Sequence, residues 1–356
     1  MATGRRWLTG LGIGAMVLAV GVFLAVTARG AAEPRGAGLS PGPSPPRPLA
    51  SPTAAPRFQV GVNIPDVMHY GYAALVPRST PGEAEADLQA LQGMGATIVR
   101  LYAANDGISD QETARRLGIF LDAAQRHNIS VIVSLVNYYG SHQNPPGMAP
   151  DYALTWQGIP YLSHAFFASD YRGAYLRFVR TVVTANRGHP NIYAWEPGNE
   201  LADSDKPAFL AFMRQTTDLL KTLDPRHAVA TGMIQAAQAG FTPAELYGSL
   251  PSVDIVTVHP GNGYRGSVVD VDWAVAHGKR AIVEETGISA TDNRAARFET
   301  ELRYWRGQGA SAFLLDGFIA KGLPDDGSGD KQLGFDAIWH TDYDQVAAML
   351  RRAARA

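Results

Sequence analysis

Two short stretches of the sequence each end on acidic side chains that could carry out chemistry. The first, Asn191–Glu200, has an apolar centre that predicts a buried strand, and a Pro-Gly pair that stops it. The second, Arg280–Gly287, predicts another strand, which ends on Glu284 and Glu285. Catalytic side chains of parallel α/β proteins collect at the carboxyl ends of the strands. Carboxylates from two strand ends could share the acid/base and nucleophilic work of cleaving a glycosidic bond.

The elements that must position these carboxylates alternate along the chain. Predicted strands cover 58–64, 97–102, 130–137, 192–195, 228–232, 254–259, 280–285 and 312–316. Predicted helices cover 83–94, 110–127, 171–186, 206–223, 243–250, 268–277, 294–307 and 344–355. Asp110 is the predicted cap of the second helix, and residues 138–169 form a predicted insertion. This alternation predicts an α/β fold of the (β/α)8 TIM-barrel type, with one catalytic domain over 58–356.

Within such a barrel the acidic residues have distinct predicted places. The fourth and seventh strands lie on opposite sides of a barrel mouth, so Glu200 and Glu285 would face each other across a cleft. Glu284 is one pleat out of step with Glu285 and is predicted to face the helices or to pair with a basic residue. Glu196 is predicted to lie in a polar layer inside the barrel, in a structural role. Carboxyl groups about 5–5.5 Å apart give retention and about 6.5–9.5 Å inversion, and the sequence leaves that distance open.

The amino-terminal residues indicate export. Residues 7–26 contain no charged side chain and follow Arg5-Arg6, and about 20 such residues can span a bilayer as a helix. We therefore expect 1–32 to be a transmembrane anchor or, alternatively, a cleaved signal peptide. Residues 33–57 are rich in Pro, Ala and Ser and predict an extended linker. The domain would then lie at the cell surface, membrane-anchored and extracytoplasmic, or be secreted.

The overall composition excludes several classes of protein. The formal net charge is −2 and cysteine is absent, which argues against nucleic-acid binding and against a disulfide framework. The nine histidines show no close ligand spacing, so we predict neither a metal site nor a cofactor. The expected partner is a polysaccharide or oligosaccharide substrate, with the membrane as a second partner if the amino-terminal helix is uncleaved.

Four blocks of the sequence resemble clan A glycoside hydrolases, and within them the endo-β-mannanase and cellulase branch of glycoside hydrolase family 5. These blocks are 97–107, 133–140, 166–200 and 281–287, and the specific motifs in them are Asn-Glu and Glu-x-Gly. The resemblance implies that Glu200 is the acid/base and Glu285 the nucleophile. It also implies that Asn199 binds the sugar 2-hydroxyl, that Arg100 keeps Glu285 ionised and that His259 lines the cleft.

The sequence departs from the family pattern at two places. The family has His-x-Tyr on the sixth strand, whereas position 261 is Gly, and Tyr264 is the nearest substitute. The family ends the eighth strand with a Trp platform, whereas Asp316 stands there. We expect Asp316 to line the glycone subsite, although it could instead cap backbone amides. Trp156, in the insertion, is a further candidate for binding substrate.

The resulting hypothesis is a retaining β-glycoside hydrolase, β-mannanase-like or β-glucanase-like, that acts on a polysaccharide or glycoconjugate by double displacement. Two alternatives stay open at this point. The same residues would serve a cell-wall transglycosidase, and the two departures would suit a carbohydrate-binding barrel without catalysis.

Overall fold

Eight parallel strands form the wall of the fold. The computed structural model describes residues 58–64, 81–104, 109–136, 164–288, 293–318 and 343–355. The strands are β1 (Gln59–Asn63), β2 (Ile98–Tyr102), β3 (Ser130–Ser134), β4 (Ile192–Glu196), β5 (Ala228–Val229), β6 (Ile255–Val258), β7 (Arg280–Thr286) and β8 (Ala312–Leu315). They follow the order β5-β4-β3-β2-β1-β8-β7-β6. A parallel bridge between Ala230 and Ile255 joins the two ends of this order, so the sheet is a nearly closed (β/α)8 barrel.

Helices cover the outside of the barrel wall. They are α1 (Pro81–Gly93), α2 (Asp110–Arg126), α3 (His164–Ala168), α4 (Ala174–Asn186), α5 (Lys206–Leu223), α6 (Pro243–Tyr247), α7 (Val268–Ala276), α8 (Arg294–Gly307) and α9 (Tyr343–Ala353). Apolar residues at helical spacing, such as Leu117 and Leu121 of α2, are buried in the main core between helices and sheet. Burying one such side chain stabilises the fold by roughly 1.5–3 kcal/mol.

The inside of the barrel has an apolar lower part and a polar upper part. A separate apolar cluster inside the wall contains Ile98 of β2 and Ala194 of β4. Side chains two positions apart on a strand share a face, so the next inward residues are Arg100 and Glu196, both fully buried. Because all strands are parallel, these polar residues lie together just beneath the rim formed by the carboxyl ends of the strands. We call Asn63, Arg100, Glu196 and Glu284 the polar layer.

Two predicted elements differ from the structure. The cap of α2 is Ser109, whose side chain accepts a hydrogen bond from the Glu112 amide, and Asp110 is already the first helical residue. A serine in extended backbone geometry suits that position, because its hydroxyl can reach the exposed amides of the first turn. The end of the predicted insertion is also helical, since α3 occupies His164–Ala168.

Several predictions lie outside the described residues. They concern the anchor or signal over 1–32, the linker over 33–57, and Trp156. Within the described ranges, no helix is long and apolar enough to cross a membrane.

Candidate active site

The carboxyl end of β4 holds Glu200 in an unusual backbone conformation. The φ angle of Glu200 is +55°, a left-handed geometry that costs roughly 1–3 kcal/mol for a residue with a side chain. Its N–H donates to the carbonyl of Gly232 at 2.7 Å. A side chain at Gly232 would come within 2.0 Å of the Gly198 carbonyl oxygen. The close approach of these two loops therefore requires glycine and fixes Glu200 at the rim.

Glu285 occupies the matching place at the end of β7. The pairing of β7 with β8 shifts its register between Val283 and Thr286. This bulge breaks the strict alternation of side chains, so Glu284 and Glu285 both reach the inside of the barrel. Glu285 is the outer of the two, with 13% of its side chain exposed, whereas Glu284 is fully buried.

Glu200, Glu285 and His259 meet at the rim. One side-chain oxygen of each glutamate and one ring nitrogen of His259 all lie within 4.8 Å of one another. Nδ1 of His259 is 2.8 Å from Oε1 of Glu200 and 3.8 Å from Oε2 of Glu285. One oxygen of each carboxyl group thus lies within 4.8 Å of the other, which is nearer to the spacing of about 5–5.5 Å that accompanies retention than to the roughly 6.5–9.5 Å of inversion.

Arg100 ties the rim to the polar layer. Its Nη1 donates to Oε2 of Glu285 at 3.1 Å, and its Nη2 donates to Oδ1 of Asn199 at 2.7 Å. Its Nε donates to Oε2 of Glu196 at 3.0 Å. The guanidinium is fully buried, and its planar fork holds several acceptors in fixed directions. Arg100 thus orients both Glu285 and the amide of Asn199.

The ionisation of Glu285 reflects opposing influences. Burial raises its pKa, and the nearby carboxyl of Glu200 adds to that effect. His259 and Arg100 act in the opposite direction but do not fully offset burial. Arg100 therefore lowers the pKa of Glu285, while the net pKa of this carboxyl lies above its ordinary value. That Arg100 keeps Glu285 ionised stays a prediction.

Beneath the rim, two buried carboxyl groups of the polar layer differ in protonation. Burial raises the pKa of Glu196 well above its ordinary value, against the attraction of Arg100. Burial also disfavours ionised Glu284, but Arg100 and His259 outweigh it and hold the pKa of Glu284 well below its usual range. These opposite directions favour the proton on Glu196 and the charge on Glu284.

Comparison with known proteins finds similarity to mannan endo-1,4-β-mannosidases. No family model matches the chain. The chain is 26% identical over 229 residues to mannan endo-1,4-β-mannosidase 1 of Oryza sativa subsp. japonica. The matched region covers 56% of this chain and 50% of that protein. It is 26% identical over 152 residues to mannan endo-1,4-β-mannosidase F of Aspergillus clavatus. This matched region covers 41% of this chain and 34% of that protein.

Solved structures agree on the fold. The hyperthermostable endo-1,4-β-D-mannanase of Thermotoga petrophila RKU-1 matches with a TM-score of 0.60 at 19% identity, over 84% of this chain and 99% of that chain. A glycoside hydrolase family 5 mannosidase of Rhizomucor miehei matches with a TM-score of 0.56 at 13% identity, over 85% of this chain and 95% of that chain. The resemblance to glycoside hydrolase family 5 is confirmed. The chain spans half or less of the length of the two curated relatives.

Most of the residues that the family 5 motifs single out lie together. Glu200, Glu285, Asn199, Arg100 and His259 all belong to one connected cluster at the rim. The alternatives for Glu284 are also resolved. It does not face the helices, and its Oε2 lies 3.5 Å from Nε of Arg100.

The two residues at the family 5 departures have different surroundings. Asp316 is half-buried at the end of β8, where its N–H donates to the Thr286 carbonyl at 3.0 Å. Its charge helps to raise the pKa of Tyr102, after the larger effects of burial and Glu285. Tyr264 is 53% exposed, and its ring passes over Gly266. Among the described residues, no hydrogen bond links the Tyr264 hydroxyl to either rim glutamate.

Sequence reasoning missed two contributors to the site. The Tyr102 hydroxyl donates to Oε2 of Glu285 at 3.4 Å. Its spacing of two from Arg100 on β2 was the available signal, because both side chains must then share a face. Asn63 accepts from Nη1 of Arg100 at 3.1 Å and donates to the backbone carbonyl of Glu284 at 2.8 Å. Asn63 lies two positions after Gly61 on β1, so it shares the inner face of that strand.

The trio of Glu200, His259 and Glu285 also has the spacing of a metal-binding group. A histidine ligand must offer a ring lone pair. Both ring nitrogens of His259 instead face carboxylates, Nδ1 toward Glu200 and Nε2 toward Glu284 at 3.1 Å. Each ring nitrogen therefore already has a carboxyl partner within the protein.

Proposed function

We propose that this protein is a retaining β-glycoside hydrolase with Glu200 as acid/base and Glu285 as nucleophile. The observation that carries the proposal is the approach of the two carboxyl groups to within 4.8 Å at the barrel rim. The resemblance to family 5 supports the same assignment from a separate source.

The proposed reaction has two steps. Glu285 attacks the anomeric carbon while Glu200 gives its proton to the leaving oxygen, which breaks the glycosidic bond and forms a glycosyl ester on Glu285. Glu200, now ionised, then removes a proton from water as that water attacks the same carbon and releases Glu285. Arg100 and Tyr102 both donate to Oε2 of Glu285, so Oε1 is the oxygen that would attack.

We infer that the substrate class is a β-linked polysaccharide, with β-1,4-mannan as the first candidate. The support is the set of curated relatives, which are mannan endo-1,4-β-mannosidases. A panel of β-mannans, β-glucans and xylan, with product analysis, tests this inference. Release of products that first appear as the β-anomer is the expected result. Transfer products formed without a net gain in reducing ends would favour a transglycosidase, and binding without any turnover would favour a carbohydrate-binding barrel.

Asp316 is proposed to contact sugar hydroxyls where family 5 relatives present Trp. Phe318, the nearest aromatic on that strand end, is only 2% exposed and offers little surface for stacking. We expect Asp316→Ala to reduce kcat/KM by about 10–100-fold, the effect of losing a hydrogen bond of roughly 1.5–3 kcal/mol to a charged group, while the melting temperature changes little. Asp316→Trp should shift preference toward ordinary β-mannan or β-glucan. A large loss of stability in Asp316→Ala without a specific loss of activity would assign the residue to backbone capping instead.

We further propose that the barrel lies outside the cytoplasm, tethered or secreted. The apolar segment 7–26 and the Pro-rich segment 33–57 support this location. Fractionation with an antibody against the barrel should find it at the cell surface or in the medium. Sequencing of the mature amino terminus would then separate a retained anchor from a cleaved signal. Full-length protein confined to the cytosol would contradict the proposal.

A further inference from the structure

His259 is enclosed by carboxyl groups on both edges of its ring. Nδ1 lies 2.8 Å from Oε1 of Glu200, and Nε2 lies 3.1 Å from Oε2 of Glu284. Glu285 adds a further carboxylate oxygen 3.8 Å from Nδ1. His259 is itself buried. A ring that meets ionised acceptors at both nitrogens is most stable with a proton on each.

The charges around the ring are balanced only if His259 is an imidazolium. Three carboxyl groups face the ring directly, that of Glu200 after β4 and those of Glu284 and Glu285 on β7. A fourth, that of Glu196 on β4, is linked to this group through Arg100. Arg100 supplies one cation from β2, and Asp316, directly after β8, acts on Tyr102. With Glu196 protonated and Glu200 carrying its catalytic proton, the two ionised carboxylates match Arg100 and a protonated His259. Burial of unbalanced charge would be costly.

We propose that Glu284 is a positioning residue which, through His259, fixes the catalytic proton of Glu200 on Oε2. This inference rests on the proposed role of Glu200 as acid/base. Glu284 is held between Nε of Arg100 and Nε2 of His259, and it keeps the ring as a donor at Nδ1. Oε1 of Glu200 is then an acceptor and cannot carry the proton. Oε2 is the remaining oxygen, and the proton there can pass to a leaving group.

Without the charge of Glu284, the ring can lose its Nδ1 proton. A neutral His259 with a lone pair at Nδ1 would accept a hydrogen bond from Oε1–H of Glu200. That bond would hold the proton inside the protein, so Glu200 could not donate it to the leaving oxygen.

The protonated ring of His259 also suits the state that follows the first step. When Glu285 becomes an ester and Glu200 becomes ionised, one negative charge moves from one neighbour of Nδ1 to the other, and the sum of charges is unchanged.

The test is Glu284→Gln, which keeps the size of the side chain and removes its charge. We expect kcat/KM on a polysaccharide to fall by about 10²-fold, the lower end of what a general acid contributes. An aryl glycoside with a good leaving group needs no proton in the first step, so its kcat/KM should fall far less. A purely structural defect would lower both values together.

The pH dependence of this variant gives a second reading. Carboxylates, of which Glu285 acts most strongly, overcome the effect of burial and raise the pKa of His259 to about 10. Loss of Glu284 lowers that pKa toward the ordinary histidine value of about 6.5. In the variant, His259 is therefore protonated, and the acid arrangement intact, only at low pH. This form is lost as the pH rises through the lowered pKa of His259. Polysaccharide activity relative to wild type should recover as the pH is lowered through this window.

Glu301→Gln is the matched control. Glu301 is also a buried glutamate that accepts a hydrogen bond from an arginine, Arg265, at 2.9 Å, but it lies on α8 and belongs neither to the rim cluster nor to the polar layer. This control should keep the wild-type ratio of polysaccharide to aryl-glycoside activity and the wild-type pH dependence. If Glu284→Gln keeps them too, the proposal is overturned.

Nitrogen-15 NMR of labelled imidazoles tests the charge of His259 without substrate or a Glu284 variant, and the resonance can be assigned through His259→Gln. The wild-type protein should show two protonated ring nitrogens at neutral pH, and a neutral ring would overturn the proposal. This measurement also separates the two hypotheses. An imidazolium in a protein that cleaves no glycoside would leave the charge state standing and refute the glycosidase role, whereas an active glycosidase with a neutral His259 would refute only the role of Glu284.

Discussion

Glu285→Gln is expected to abolish turnover. An amide oxygen is a far weaker nucleophile than a carboxylate, and it still accepts the hydrogen bonds of Arg100 and Tyr102 that now meet Oε2. We expect kcat to fall by about 10⁴-fold or more, the scale on which loss of one member of a catalytic set acts. Steady-state kinetics on the best polysaccharide of the panel would measure the change.

Covalent labelling makes the assignment of Glu285 specific. A 2-fluoro glycoside with a good leaving group slows release of the ester, so wild-type protein should gain the mass of one glycosyl group on Glu285. The Glu285→Gln variant should gain none. Glu112→Gln is a matched control, because it makes the same chemical change at a helix residue paired with Arg115 and Arg116, and it should label and turn over normally. Normal labelling of Glu285→Gln would refute the nucleophile assignment.

Glu200→Ala should affect substrates according to their leaving groups. A sugar leaving group needs a proton, so kcat/KM on polysaccharide should fall by about 10²–10⁴-fold, the range that a general acid supplies. A dinitrophenyl leaving group departs as a stable anion, so kcat/KM on that aryl glycoside should change little. Comparison of the two substrates under identical conditions measures this selectivity.

The second step offers a check on Glu200. Without a base at position 200, water attacks the glycosyl ester slowly, so the ester should accumulate on aryl substrates. Azide is already an anion and needs no base, so adding it should restore kcat and yield a β-glycosyl azide. Equal losses on polysaccharide and aryl glycoside, with no effect of azide, would indicate that Glu200 supports the fold and is not the acid/base.

The rim was predictable wherever the rule of alternation applies. On β2 and β4 the interior residues Ile98 and Ala194 precede Arg100 and Glu196 by two positions, and on β6 the interior residue Ile255 precedes His259 by four. This spacing is enough to place Arg100, Glu196 and His259. The same rule would have found Tyr102, because it follows Arg100 by two. Local sequence carries this information because every regular strand repeats its side-chain direction at the same interval.

Glu285 shows where the rule fails. Strict alternation from the interior residue Ile282 places Glu284 inside the barrel and Glu285 outside, whereas the bulge of β7 lets both residues enter the barrel. A bulge depends on how the neighbouring strand pairs, here β8, which is distant in sequence. The protonation of the polar layer is also a tertiary property, because the charges on Arg100, Glu196 and Glu284 depend on residues from three strands and on their shared burial.

The sequence by itself determined the order of strands and helices, the barrel, and the presence of Asn199, Glu200 and Glu285 at strand ends, since hydrophobic periodicity and strand-ending residues are local properties. Only the tertiary structure decided the separation of Glu200 and Glu285, and the enclosure of His259 by carboxyl groups. Those features depend on the closure of the sheet between Ala230 and Ile255 and on the shift in β7. Both arise from pairing between segments far apart in the chain, and periodicity within one segment carries no record of such pairing.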